Sequence, residues 1–249
     1  MANKKKNKKS VSSKHTVLWF VAAAIILLAL GIFYVLRSEE AKRIKEYIAQ
    51  YPVAGIDLSS HNGKVDFEKV YADSIRFVYL KSTEGASFRD RRFGVNFENA
   101  RKTGIAIGAY HFFRYDVNGT LQAQNFLASL EGRTLDLPLA VDVEKDGNPD
   151  TQQDMVISRL QEMLNYLEER NIPVIIYTNM EGYRKYYREN FANYPLWICR
   201  FRKPDADIEW SVWQYSHEHE VEGISGNVDM NVFCGSESDF AGWLGSYSF

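Results

Sequence analysis

Residues 17–36 carry no charged side chain and read VLWFVAAAIILLALGIFYVL. An apolar run of that length suits a helix crossing a bilayer core. Trp19 and Phe20 lie near one end and Phe33 and Tyr34 near the other, where interfacial aromatics gather. The run continues into Arg37, Ser38, Glu39 and Glu40 rather than a small-residue cleavage site, so it reads as an uncleaved transmembrane helix. Residues 37–52 follow as a charged, Ala-containing helical stalk that Pro52 ends.

From Val53 onward the pattern changes: short apolar runs of strand length alternate with longer amphipathic segments. Strands are predicted near 54–59, 77–82, 106–113, 137–144, 174–178, 196–201, 212–215 and 228–233. Helices are predicted over 90–102, 120–130, 151–170 and 180–190. The 151–170 segment is the clearest, with Met155, Val156, Leu160, Met163, Leu164 and Leu167 at helical spacing, Pro149 and Asp150 before it, and Asn171 and Pro173 after it. The last strands are joined by connections too short for a helix. This order predicts an α/β protein: a modified, TIM-like β/α barrel of about eight strands whose final part lacks regular helices, preceded by one transmembrane helix. The predicted organisation is a basic cytoplasmic tail at 1–16, the span at 17–36, the stalk at 37–52 and a globular domain at 53–249.

Charge sets the orientation. Lys4, Lys5, Lys6, Lys8, Lys9 and Lys14 precede the span with no acid among them, whereas Arg37, Lys42, Arg43 and Lys45 after it are mixed with Glu39, Glu40 and Glu46. That bias favours a cytoplasmic N-terminus and puts the domain from Val53 onward on the exported, periplasmic or extracellular side. The chain's net charge is -2, and without those six lysines it is -8, which argues against a nucleic-acid partner. Cys199 and Cys234 could form a disulfide in an exported domain, but free, buried thiols in strands are the favoured reading. No C-x-x-C pair or metal-ligand spacing of the five histidines is present, so no metal or cofactor is expected, and the chain is read as a monomer.

The sharpest chemical signal is Asp142-Val143-Glu144 at the end of an apolar strand, because side chains two apart leave the same face. In a parallel barrel the chemistry collects at the C-terminal strand ends. The predicted ends deliver Asp57, Lys81 and Glu84, Tyr110 and His111, Asp142 and Glu144, Tyr177, and the run Trp213-Gln214-Tyr215; Asp229 comes from the start of the last strand. Several acids and aromatics with few hydroxyl nucleophiles describe a sugar-binding cleft better than an acyl-transfer site. Each residue has a plainer alternative. Asp57 could close an Asx-turn with Ser59, Asp229 could do the same, and Trp213 and Tyr215 read as core aromatics. His61 and His111 suit hydrogen-bonded structural or substrate-contact roles better than catalytic bases.

Six motifs in order resemble the family 25 glycoside hydrolases, the Chalaropsis-type lysozymes or N-acetylmuramidases: GIDLSSHN from Gly55, YHF from Tyr110, DVE from Asp142, IYTN from Ile176, WQYS from Trp213 and VDMN from Val228. They run from Val53 to about Phe240, leaving the span and stalk outside. The resemblance implies a modified β/α barrel that cleaves the β-1,4 bond between N-acetylmuramic acid and N-acetylglucosamine in peptidoglycan. It makes Glu144 the general acid and has Asp142 orient or stabilise the 2-acetamido group. Asp57 and Asp229 position sugar and shape the acid's surroundings, and Tyr177 and Lys81 contact substrate, with Tyr110, His111, Trp213 and Gln214 as further candidate contacts.

A general acid must hold its proton near neutral pH, and Asp142 is expected to raise Glu144's proton affinity. No carboxylate stands out as a dedicated nucleophile, which favours a substrate-assisted retaining route, although two strand carboxyls can adopt either the retaining or the inverting separation. Two rivals remain. One is a metal-dependent phosphodiesterase using the four acids as oxygen ligands; the other is a glycan-binding module without turnover.

Overall fold

A computed structural model describes residues 8–245 and 247–249 of the chain; the first seven residues of the predicted basic tail lie outside it. Two units form. In the first, helix α1 (Lys8–Ile48) is continuous through both the predicted span and the predicted stalk, stopping short of Pro52. It contains a stretch long and apolar enough to cross a membrane. Its apolar side chains are solvent-facing, Trp19 and Phe20 among them.

The second unit, Ile48–Phe249, is an eight-stranded closed barrel. Its strands are β1 (Ala54–Leu58), β2 (Ile75–Glu84), β3 (Ala106–Phe112), β4 (Leu139–Asp142), β5 (Val174–Asn179), β6 (Leu196–Cys199), β7 (Val212–His219) and β8 (Val228–Phe233). Strands β1 to β7 pair in parallel around the barrel, and β8 closes it antiparallel to both β7 and β1. Reversal of β8 follows from its connection: residues 220–227 are too few for a helical crossover, so the chain returns as a hairpin. All eight predicted strands are present, with boundaries moved by a few residues.

Helices α2 (Phe67–Ala72), α3 (Phe93–Ala100), α4 (Gly119–Leu130) and α5 (Gln153–Glu168) follow β1 to β4. Asp66 and Asn118 cap α2 and α4 by accepting the backbone N–H of Lys69 and Leu121. In α5 the stripe Val156, Leu160, Met163, Leu164 and Leu167 is buried as expected, but Met155 is exposed because it falls on the first turn's outer side. Asn171 stops the chain after α5 with φ 56°, a left-handed conformation asparagine tolerates. Residues 180–190 form a helical segment whose middle, Tyr183–Tyr187, winds as a π-turn. The short α2, a two-residue pairing of Thr134–Leu135 with Tyr247–Ser248, and a C-terminal helix (Glu237–Trp243) were not predicted.

Large aromatics fill the lower barrel. Phe77, Tyr79 and Trp197 pack with Val53, Ala140, Ile175, Val212 and Phe233, and Phe240 of the C-terminal helix plugs the end. Gly55 and Gly108 make this possible: a Cβ there would lie 2.3 Å from the Phe77 ring and 2.4 Å from the Tyr79 ring. Each fully buried aromatic contributes about 2–3 kcal/mol, and together they seal the lower end. The two thiols are free. Cys199 is half-buried at the upper end of β6, whereas Cys234 is exposed one residue past the lower end of β8, correcting the expectation that both are buried in strands.

Candidate active site

Above the aromatic plug the barrel opens into a cleft lined by Asp57, Tyr110, Asp142, Glu144, Tyr177, Trp197, Gln214 and Asp229. Six of these are predicted site residues at inward-facing positions of strands, and Glu144 lies just beyond β4. Trp197 was not predicted as a lining residue; it stacks on Tyr79 at 4.7 Å and meets Tyr177 edge-on at 4.8 Å, forming the floor.

The segment carrying the two central acids is held on both sides. Phe113 N–H donates to Asp142 O and Val143 N–H to Tyr177 O, each at 2.9 Å, while Thr178 Oγ1 donates to Val143 O at 2.6 Å. Asn148 spans the loop beyond: its amide donates to the carbonyls of Glu144 and Phe113, and its Oδ1 accepts from Tyr115 N–H. The backbone of Glu144 is thus fixed, and its carboxyl is free to reach the cleft.

Burial pushes the Glu144 carboxyl up to about 7, with Asp146 and Asp229 adding to the effect and Lys81 opposing it. Asp142 was expected to be the neighbour that loads Glu144, but burial leads and Asp146 and Asp229 are the charges that raise it; the repulsion between the two central acids is felt on Asp142. Asp142 is driven well above the ordinary carboxylate range by burial and then by Glu144, with Lys81 pulling the other way. Its Oδ1 is buried without a hydrogen-bond partner, an arrangement that costs stability until something donates to it.

Asp57 closes no Asx-turn. Its Oδ2 accepts from Gln214 Nε2 and from Asn231 Nδ2, both at 2.8 Å. Gln214 is in turn an acceptor for Tyr177 OH at 2.9 Å, and Asn231 for Trp197 Nε1 at 2.7 Å. Burial, followed by the facing Asp229, raises the Asp57 carboxyl well above its usual range. Asp229 is also raised, by burial, against the lowering influence of His217 and of a hydrogen bond with Asp57. The β7–β8 ladder is bulged on either side of Met230 with the extra residues on β7, so alternation along β8 is kept and Asp229 stays opposite Asp57.

Three predicted contacts stand elsewhere. His111 is fully buried on the outer face of β3, between Thr83 Oγ1 at 2.7 Å and Gln122 Oε1 at 3.1 Å, and desolvation lowers it to about 4; it does not reach the cleft. Trp213 is fully buried on the outer face of β7 and donates to Arg200 O at 2.7 Å, the core reading rather than sugar contact. Both corrections have one cause, since Tyr110 and Gln214 point inward and their strand neighbours must point outward. Lys81 is half-buried and paired with Glu84 at 2.9 Å, its ammonium 4.9 Å from the Phe112 ring centre. Its charge acts on both central acids, but its side chain is not in the lining. The Lys81–Glu84 pairing depends on a bulge at Ser82, which puts residues three apart on one side.

Comparison with known proteins matches this geometry. The profile of the glycosyl hydrolases family 25 covers residues 56–224. An uncharacterised Escherichia coli protein, YegX, is 31% identical over 251 residues, spanning 94% of this chain and 89% of its own. The autolytic lysozyme of Clostridium acetobutylicum is 32% identical over 181 residues, 72% of this chain and 55% of its own. Among solved structures, a family 25 glycosyl hydrolase from Bacillus anthracis superposes with a TM-score of 0.72 at 30% identity, covering 78% of this chain and 94% of the other. Profile, sequence and barrel agree with the six motifs, and the chain belongs to glycosyl hydrolase family 25, an enzyme that hydrolyses glycosidic bonds.

Proposed function

We propose that this enzyme is a muramidase, cleaving the β-1,4 bond between N-acetylmuramic acid and N-acetylglucosamine in peptidoglycan, with Glu144 as general acid. The observation that carries the assignment is the barrel-mouth cleft in which Asp57, Asp142, Glu144 and Asp229 converge; burial there pushes the Glu144 carboxyl up to about 7, and an acid catalyst works best with its proton affinity near the working pH. Glu144 delivers its proton to the glycosidic oxygen as the C1–O bond breaks. The 2-acetamido oxygen of the substrate bonds to C1, and Asp142 accepts the amide N–H on its unpartnered oxygen. Water then attacks C1 as its bond to the acetamido oxygen breaks, giving a proton to Glu144 and releasing a sugar of retained configuration. Tyr110, Tyr177 and Gln214 line the bound sugar, and Trp197 forms its floor.

The metal-dependent rival is disfavoured by donor geometry: among the described residues no three of His, Cys, Asp or Glu converge as ligands do. The six lysines ahead of the apolar span support a cytoplasmic N-terminus and an exported barrel, where peptidoglycan lies. A single span would then confine cleavage to wall near the membrane. A soluble form starting at Tyr51 that digested no more widely than the anchored enzyme would count against that confinement.

The test is digestion of purified peptidoglycan by the detergent-solubilised enzyme and by Glu144→Gln, with mass spectrometry of reduced fragments. Fragments ending in reduced muramic acid, absent from the variant, are expected. Intact glycan in both, with binding retained, would replace this reading with the glycan-binding module.

A further inference from the structure

Among the described residues of the barrel unit only two phenylalanines are exposed, Phe88 at 50% and Phe201 at 46%. Both belong to the inner face at the upper rim. Phe88 lies on a two-residue strand, Phe88–Arg89, that turns back antiparallel to the end of β2 and sets Phe88 directly opposite Glu84. Directly opposite side chains share a face. The bulge at Ser82 puts Glu84 on the side of Lys81, which is the ladder neighbour of the cleft residue Tyr110, and the Lys81 ammonium is 5.6 Å from the Phe88 ring centre. On β6, Trp197 lines the cleft, and alternation carries its face through Cys199, the ladder neighbour of Gln214, to Phe201 just beyond the strand's end. The Phe201 ring packs on His217 at 4.2 Å between centres, and His217 belongs to the β7 bulge opposite Asp229.

Strand order fixes where these rings stand. Three strands separate β2 from β6 whichever way the barrel is followed, so Phe88 and Phe201 face each other across the mouth. The middle strand of one set is β4, which carries Asp142 and leads to Glu144; the middle strand of the other is β8, whose Asp229 lies opposite Asp57 of β1. A chain crossing from β2 to β6 therefore passes between the two pairs of acids. An exposed phenyl ring forgoes burial energy and favours a partner with an apolar face. A β-1,4-linked pyranose offers one, with C–H groups on its faces and hydroxyls at its edges.

We propose that Phe88 and Phe201 are the outer sugar platforms of a glycan groove that crosses the barrel mouth from β2 to β6, each stacking on a pyranose face beyond the sugars held among the acids. The enzyme then grips long glycan strands better than a disaccharide. This rests on the substrate being a glycan, but not on Glu144 being the general acid.

Binding to the full-length Glu144→Gln protein in detergent, followed by tryptophan fluorescence, tests it with two probes: peptide-free glycan strands from purified peptidoglycan, and their N-acetylglucosamine–N-acetylmuramic acid disaccharide. Covering the exposed half of one ring corresponds to about fivefold in Kd. Phe88→Ser and Phe201→Ser are each expected to weaken strand binding by about that factor, and together by about 25-fold, since the rings share no contact. Disaccharide binding should stay within about twofold, and Phe88→Tyr and Phe201→Tyr, which keep a flat ring, should bind strands within about twofold of the parent. In the active enzyme the serine variants should raise KM for strands with little change in kcat. Strand binding undiminished in the serine variants would overturn the platforms alone. Equal weakening of strand and disaccharide, or tyrosine variants as weak as the serine ones, would also overturn them, because the rings would then act on the fold of the cleft. A parent that binds neither probe would overturn the glycan reading of the cleft and the platforms with it.

Discussion

Replacing the proposed acid should stabilise the protein, and by an amount that grows with pH. Glutamine at 144 has nearly the shape of glutamate and is neutral at every pH, so Glu144→Gln removes only the cost of ionising a carboxyl in this cleft. Folding raises that carboxyl from 4.5 to about 7, chiefly by burial. Between these values the native protein binds more protons than the unfolded chain, so stability falls as pH rises. The contribution of Glu144 is therefore intact below about pH 4.5, declines through the interval and is fully lost above about 7. The whole gap corresponds to about 3 kcal/mol, or about 6–12 °C in Tm for a domain of this size. Loss of the Glu144 charge also relieves Asp142, which that charge raises, so the coupling adds to the gain. Thermal melts of full-length wild type and variant in detergent at pH 4, 6 and 8 measure it. Little difference is expected at pH 4 and the full one at pH 8. A Tm difference that stays flat across this range would refute the argument that Glu144 is held protonated by its surroundings.

Three further outcomes follow from the same geometry. The rate of wall digestion should fall about tenfold per pH unit above about pH 7, as Glu144 loses its proton; a rate still rising at pH 9 would contradict it as the acid. Gly108→Ala should destabilise by about 1–3 kcal/mol, because the added methyl lies 2.4 Å from the Tyr79 ring, and an unchanged Tm would show that the plug yields. Prolonged treatment with EDTA should leave digestion within about twofold of the untreated rate, since general acid catalysis by a carboxyl needs no metal; loss of activity restored by Mg²⁺ or Ca²⁺ would revive the metal-dependent alternative.

Strand positions were legible because barrel strands are buried on both faces, so each is a short apolar run bounded by polar residues. Asp142 and Glu144 were legible for a related reason, as carboxyls interrupting such a run. His111 and Trp213 count as candidate contacts only when adjacent residues are taken together; their structural reading was the other one open to the sequence. With Tyr110 and Gln214 inward, strand alternation already assigns their neighbours to the outside, and that signal went unused. The same rule would have found Asn231, two residues beyond Asp229 on the same face. Asp146 gave no such signal: its effect on Glu144 depends on the path of the loop that Asn148 ties down, and a loop has no period. The bulges at Ser82 and along β7 are likewise invisible to a pattern of period two, yet the first aims Glu84.

The reversed strand β8 also determines where this barrel can tolerate change. After each of β1 to β5 the connection leads into a helical segment, so lengthening it risks moving that helix. Between β7 and β8 the connection is a hairpin, and its tip leans on the two ends of α2 through Asp66 N–H to Gly223 O at 2.9 Å and Glu222 N–H to Asp73 Oδ2 at 3.0 Å. A hairpin can grow or shrink by paired residues with only these two hydrogen bonds to α2 at stake, and this one adjoins the strand positions of Gln214 and Asp229. It is thus a place where the depth of the groove, and with it the length of glycan gripped, can be tuned separately from the stability of the barrel.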